Sequence, residues 1–335
     1  MSPIISVIIP TFNRVDYLPD VLQPLLVAKD DVLEIIIVDD GSTDNTVEVA
    51  KALGAHVIQL CRQKNANFCR NEGARAASGE LLLFLDSDVI LQPESLKYLY
   101  KCFQETHADG IVGVYAVKHR HQNLVSQYKN LWIRFSFLAS QARTDWIFGA
   151  VSAIRRDVFM AVNGFDQFYR PHQPDDLELG KRLAQSSYQI ILDPNLTVEH
   201  LKRYTLFSLL KNDFIRSQWF VYLAGYFGQL GNSWRKGIFN VYPRFVLATA
   251  MAPLLVVITT VVFMWPSVLW LQLGLIILFV HLNLPFLNYF CQERGLINTF
   301  GIIPVLFVDQ LVCSLGVVVG FWRWLYSKRD KKIHG

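Results

Sequence analysis

Two hydrophobic patterns divide the chain. Up to about residue 200, short apolar runs alternate with stretches whose apolar positions recur at helical spacing. "ISVIIP" (Ile5 to Pro10), "EIIIVDD" (Glu34 to Asp40), "HVIQL" (His56 to Leu60) and "ELLLFLD" (Glu80 to Asp86) read as strands. The first is apolar almost throughout, as a strand covered on both faces should be, and the second is likewise a buried strand. Between them lie three helical stretches: "RVDYLPDVLQPLLVA" with Asn13 as its cap, "GSTDNTVEVAKALG" with Gly41 making the turn, and "FCRNEGARAASG" ending at Gly79. Strands alternating with helices predict an α/β fold with a mostly parallel, doubly wound sheet. From about 110 to 200 the pattern is less regular. "DGIVGVYAV" is a strand, "WIFGAVSAIRRDVF" a strand-to-helix unit, and "GFDQFYRPHQPDDLELGKRLAQ" a loop entering a helix. "YQIILDPNLTVEH" reads as two short strands about a Pro turn.

Beyond residue 205 the pattern changes. Leu206 to about Leu230 carries apolar and aromatic residues on one face and Lys211, Asp213 and Arg216 on the other, which suits a helix lying on a membrane surface or, alternatively, a core helix. From Phe245 to Gln292 there is no Asp, Glu, Lys or Arg. That is about twice the ~20 apolar residues needed to cross a bilayer. Trp265-Pro266-Ser267 divides it into helices near 244–265 and 268–290, and Leu296 to Tyr326 supplies a third, with Asp309 embedded. The expected organisation is an α/β domain at 1–204, an interfacial helix and basic linker at 205–242, about three C-terminal membrane helices at 243–327 and a basic tail at 328–335. Lys202, Arg203, Lys211, Arg216, Arg235, Lys236 and Arg244 gather before the apolar block and favour the cytoplasmic face for the first part. The tail "SKRDKKIHG" opposes that sidedness if all three helices span.

Composition agrees. Of 335 residues, 52% are hydrophobic and 18% charged, against roughly 25% charged in an ordinary soluble protein. A net charge of +4 is too small to indicate nucleic acid as a partner. The five cysteines have neither zinc-like nor disulfide-framework spacing, which suits a reducing compartment. The opening "MSPIISVIIP" lacks a basic region and a cleavage pattern, so it reads as a strand and not a leader.

The chemistry lies at the strand ends. Pro10-Thr11, Asp39-Asp40 and Asp86-Ser87-Asp88 each close a predicted parallel strand, and so face one edge, where such sheets bind ligands. Carboxylates at the end of a buried strand are costly unless compensated. A D-x-D turn directs two of them at one hard cation, Mg²⁺ or Mn²⁺, whose remaining positions phosphates complete. Alone the pair says little, because turns are rich in Asp.

Five ordered stretches add to it: "SVIIPTFNR" (6–14), "EIIIVDDGSTDNT" (34–46), "FCRNEGARAASGELLLFLDSD" (68–88), "GAVSAIRRDVF" (149–159), and "GFD" (164–166) followed by "DDLELGKRL" (175–183). Together they resemble a family 2 glycosyltransferase of the inverting GT-A fold, membrane-anchored and of bacterial type. The resemblance implies a nucleotide-sugar site of Pro10, Thr11, Phe12, Asp39, Asp40, Arg70, Asp86, Gly149 and Ala150. It implies Asp88 and Asp86 as metal ligands, Asp88 the more direct, with His200 as a third in some members. Asp176 corresponds to the general base, and Asp175 stands where the family usually has Glu. Alternatives stay open: Asp39 as a turn cap, Asp175 and Asp176 as helix-start residues, His200 facing lipid headgroups, and Arg182 on the phosphates or merely covering its helix. The implied partners are a nucleotide-sugar donor, a UDP-sugar first, and a lipid or lipid-linked acceptor at a membrane.

A dinucleotide-dependent oxidoreductase needs G-x-G-x-x-G after the first strand, where this chain has P-T-F-N-R. A nucleotide-sugar-binding protein without transfer activity is opposed by the joint presence of Asp86, Asp88 and Asp176. A processive polysaccharide synthase is opposed by the small membrane block and by "RSQWF" (216–220) in place of Q-x-x-R-W.

Overall fold

The computed structural model describes residues 5–28, 32–92, 94–140, 142–167, 174–230 and 241–333, with side chains to 327. Arg235 and Lys236 of the basic linker lie outside the described residues. The chain divides into two units, one of residues 1–121 and 141–202, the other of 122–140 and 203–335.

In the first unit the described strands form one nine-stranded sheet. They are β1 (Ile5–Thr11), β2 (Glu34–Asp39), β3 (His56–Gln59), β4 (Leu81–Leu85), β5 (Val89–Leu91), β6 (Gly110–Tyr115), β7 (Arg143–Thr144), β8 (Val151–Arg155) and β9 (Ile190–His200). Their order is β3-β2-β1-β4-β8-β6-β9-β5, with β7 also on β9. The first four are parallel, as expected, and the pairing Thr11↔Asp39 places the carboxyl ends of β1 and β2 level. Beyond β4 the sheet is mixed: β8 runs antiparallel to β4 and β6, while β6 and β9 are parallel. Every residue of β1 and β4 is buried, so both faces are covered. The helices of this unit are α1 (Leu18–Val27), α2 (Thr46–Ala52), α3 (Ala66–Ala76), α4 (Ser95–Thr106), α6 (Arg156–Ala161) and α7 (Asp175–Gln185); α5 (Leu124–Leu138) belongs to the second.

Two local expectations are corrected. Asn13 does not cap α1, which begins at Leu18; it adopts φ 50°, and its Oδ1 accepts from Thr43 N at 2.8 Å, tying the β1 loop to the β2 loop. Residues 190–200 form one strand, not two. Pro194 cannot donate to a ladder, and the irregularity is absorbed as a register shift between Val112 and Val114 of β6.

The second unit joins α5 to α8 (Leu206–Tyr226), α9 (Pro243–Met264), α10 (Leu269–Arg294) and α11 (Leu296–Ile333). Three helical segments, Pro243–Met264, Pro266–Arg294 and Leu296–Ser327, are long and apolar enough to cross a membrane. Small residues bring α8 onto α11: a Cβ on Gly316 or Gly320 would overlap Ser217 or Gln218. Between α10 and α11, Gln310 Nε2 donates to Asn283 Oδ1 at 2.7 Å. Asp213 is not on a solvated face of α8. It is buried and accepts from Lys129 Nζ of α5 at 2.5 Å, because a buried carboxylate needs a charged partner. The sequence reading had no place for α5; its side chains Tyr128 and Lys129 are buried among the α8–α11 helices.

Candidate active site

The site is built around Arg70. Asn65 caps α3 by accepting from Phe68 N at 2.8 Å, and α3 presents Arg70 one turn further on. α3 lies close on the sheet, since a Cβ at Gly73 would come within 2.5 Å of Ile8 Cγ2. The Arg70 guanidinium is buried. It donates to Asp86 Oδ1 at 2.7 Å through Nη2, and to Asp175 Oδ2 at 3.3 Å and Asn67 Oδ1 at 3.2 Å through Nη1. Phe165 lies beneath it at 5.1 Å. One cation thus joins the end of β4 to the start of α7. Two acids hold its terminal nitrogens, while Nε has no hydrogen-bond partner among the described residues. Asn71 is structural, holding both N–H and C=O of Phe165. Burial raises the Asp86 and Asp175 carboxyls to about 6, against the opposing pull of Arg70.

Asp175 and Asp176 open α7, where acidic residues suit the helix dipole. Asp176 Oδ1 accepts from Leu177 N at 2.9 Å, and Oδ2 accepts from Gly149 N at 3.3 Å. Both acids lie in the first turn of α7, as the helix-start reading expects, and the second oxygen of Asp176 faces Gly149 N. Gly149 leaves the space open: a Cβ there would sit 3.4 Å from Arg70 Nη2 and 3.8 Å from Asp176 Oδ2. Ala150 follows it, its carbonyl accepting from Asp86 N at 3.3 Å. Arg182 covers its helix, bonding Glu178 at 2.5 Å and the carbonyls of Val162 and Gly164.

α7 is seated by Gly180, whose added Cβ would overlap the Trp146 backbone. Gly180→Ala is expected to lower stability by about 1–3 kcal/mol through overpacking. A fall in thermal midpoint, with loss of activity from a displaced Asp176, checks it.

Asp88 lies on the other side of the D-x-D turn. Burial raises its carboxyl, and Arg14 and Lys202 pull it back. His200 Nε2 is 3.8 Å from Asp88 Oδ2. Its ring is buried and stacked on Tyr115, with centroids 4.6 Å apart, which corrects the lipid-facing alternative. Among the described residues no three His, Cys, Asp or Glu side chains converge to hold a metal ion. The expected trio of Asp86, Asp88 and His200 is thus not assembled as a closed site, because Arg70 holds Asp86. An open carboxylate at Asp88 still fits a hard cation that takes most of its oxygens from phosphates.

The remaining expected residues sit at the same edge. Thr11 is buried, and its carbonyl accepts from Asp40 N at 2.8 Å; Pro10 pairs with Val38, and Phe12 is half-buried. Asp39 is a turn cap: its carboxylate accepts from Ser42 N at 3.0 Å and from Ser42 Oγ, around Gly41 at φ 81°. Asp40 points to the next loop, accepting from Lys64 N at 2.6 Å. Sequence reasoning missed Arg14, Lys202 and Tyr115 as neighbours of this edge. Arg14 stood inside a quoted motif and Lys202 two residues after His200, but only the fold brings them to bear on Asp88.

With this geometry in hand, comparison with known proteins is informative. Residues 6–161 match the family described as Glycosyl transferase family 2. This stretch is a family 2 glycosyltransferase domain. Glycosyltransferase GlyG of Streptococcus pneumoniae serotype 4 (strain ATCC BAA-334 / TIGR4) is 36% identical over 120 residues, 34% of this chain and 40% of GlyG. Poly(ribitol-phosphate) beta-N-acetylglucosaminyltransferase TarP of Staphylococcus aureus (strain N315) is 35% identical over 127 residues, 36% of this chain and 39% of TarP. The alignments thus span well under half of these relatives. Among solved structures, mannosyltransferase PcManGT of Pyrobaculum calidifontis, in complex with GDP-Man and Mn²⁺, superposes with a TM-score of 0.60 at 18% identity. It covers 90% of this chain and 87% of its own. The family 2 domain has the GT-A fold, with apolar helices following it.

Proposed function

We propose that the protein is an inverting glycosyltransferase, moving a sugar from a nucleoside-diphosphate donor to a lipid or lipid-linked acceptor at the cytoplasmic face of a membrane. The observation that carries it is the Arg70 bridge, which sets the D-x-D acid Asp86 and the α7 acids Asp175 and Asp176 around one opening at Gly149. Asp176 Oδ2 takes the acceptor's hydroxyl proton. The hydroxyl oxygen bonds to the anomeric carbon as the bond from that carbon to the diphosphate oxygen breaks on the opposite face. Gly149 N, bonded to the same Oδ2, holds the carboxylate in place. Pro10, Thr11 and Phe12 line the edge that takes the base, and Asp39 shapes the turn beside it.

Asp88, with His200 beside it, would hold Mg²⁺ or Mn²⁺, which supplies charge neutralisation of the departing diphosphate. Arg14 and Lys202 add positive potential at the same carboxylate. GDP-Man and Mn²⁺ in PcManGT support this donor class, and the apolar helices support a membrane acceptor.

The test is transfer by the full purified chain, in native lipid extract, from a panel of radiolabelled nucleotide sugars led by UDP-sugars. Label is expected in the lipid phase with Mn²⁺, falling to background in chelator and returning when the cation is restored. Undiminished transfer in chelator overturns the cation's role. Donor binding without transfer from any sugar overturns the transferase reading.

A further inference from the structure

The helical unit contains a cavity of about 660 Å³, open on one side and formed by residues of α5, α8, α9 and α11 with Leu230 and Val241. Its walls are mainly hydrocarbon: Trp132, Phe245, Pro253 and Val317 are among them. Polar side chains reach it as well: the hydroxyls of Ser136 and Thr249 have no hydrogen-bond partner among the described residues, while the charged groups other than Arg216 are bonded. Lys129 Nζ is bound by Asp213 at 2.5 Å, and Asp309 accepts from Tyr128 Oη at 2.7 Å. Arg216 is different. It lines the same cavity, and its guanidinium lies over the Phe220 ring at 5.4 Å, with no carboxylate paired to it among the described residues.

An apolar cavity among helices that are able to cross a membrane does not hold water well. In a bilayer the abundant filler is a hydrocarbon chain. A half-buried cation at the wall of such a cavity favours an anion, and basic pockets between membrane helices suit anionic headgroups. We propose that this cavity binds an anionic phospholipid, one acyl chain between α9 and α11 and the phosphate on Arg216. The site is built from the helical unit alone and does not depend on the transferase reading.

The experiment uses the full chain in detergent, exchanged with phosphatidylglycerol or phosphatidylcholine and observed by native mass spectrometry. Phosphatidylglycerol is expected to be retained about tenfold more than phosphatidylcholine, whose choline cation offsets the attraction of its phosphate to Arg216. Arg216→Gln should abolish that preference. A phosphatidylglycerol with a diazirine in its acyl chain should crosslink to residues 249–253 and 313–318. Ala250→Trp, which fills the rim, should remove those crosslinks while those on exposed Phe263 and Ile277 persist. If Ala250→Trp fails to fold, Val317→Trp blocks the cavity from the facing helix. Equal retention of the two lipids by the wild-type chain, or wild-type crosslinks confined to exposed faces, overturns the proposal.

Discussion

Asp176→Asn is expected to lower the rate of sugar transfer by roughly 10²–10⁴-fold, the usual contribution of a positioned base. Asn is the informative replacement because it keeps what Asp176 does for the fold. Its amide oxygen can still accept from Gly149 N or Leu177 N. What it lacks is a carboxylate that gains a proton as the acceptor oxygen attacks. Donor affinity, measured by calorimetric titration in the presence of Mn²⁺, should therefore be unchanged while single-turnover transfer collapses. Transfer at the wild-type rate would show that another group takes the proton. Loss of donor affinity together with transfer would show that Asp176 acts through the helix start and not as a base.

The central parallel strands β1, β2 and β4 were legible because they are continuous apolar runs bounded by Gly, Asp and Pro. Burial on both faces leaves that mark, and the parallel register then dictates that Thr11, Asp39 and Asp86 share an edge. The mixed half was less legible, since β8 and β9 are placed by long-range pairing that no local period encodes. The same limit applies to side chains. Residue types at the site followed from motif spacing, but the direction of each side chain did not. Asp39 turned to Ser42, Asp40 to Lys64 and Arg70 to two acids, each choice set by which partner the folded loops offered. Asp213 shows it in the helical unit: a charge at surface-like helical spacing is buried because Lys129 arrives from α5, a helix remote in sequence.

Removing the Arg70 guanidinium gives the second large effect, and it separates positioning from binding. Arg70→Met keeps much of the side-chain volume but leaves Asp86 and Asp175, both pushed up by burial even with the cation present, without their shared partner. Deleting one member of a fully buried pair costs about 3–5 kcal/mol, and the cost here falls below that because Asp86 and Asp175 are partly exposed to solvent. The thermal midpoint should therefore drop, and transfer should fall below detection because the ends of β4 and α7 are no longer tied. Arg70→Lys tests the geometry of that tie: an ammonium satisfies one carboxylate but cannot reproduce the planar fork that reaches both. Lys is expected to recover most of the stability and little of the transfer rate. Adding Asp175→Asn to Arg70→Met removes one of the unpaired acids, so the double variant should be more stable than Arg70→Met alone. If Arg70 instead served the donor phosphates directly, Arg70→Met would weaken donor binding with the thermal midpoint intact, and Asp175→Asn would rescue nothing. A midpoint that falls with Met, recovers with Lys and responds to Asp175→Asn assigns Arg70 to holding the two acidic corners of the site in register.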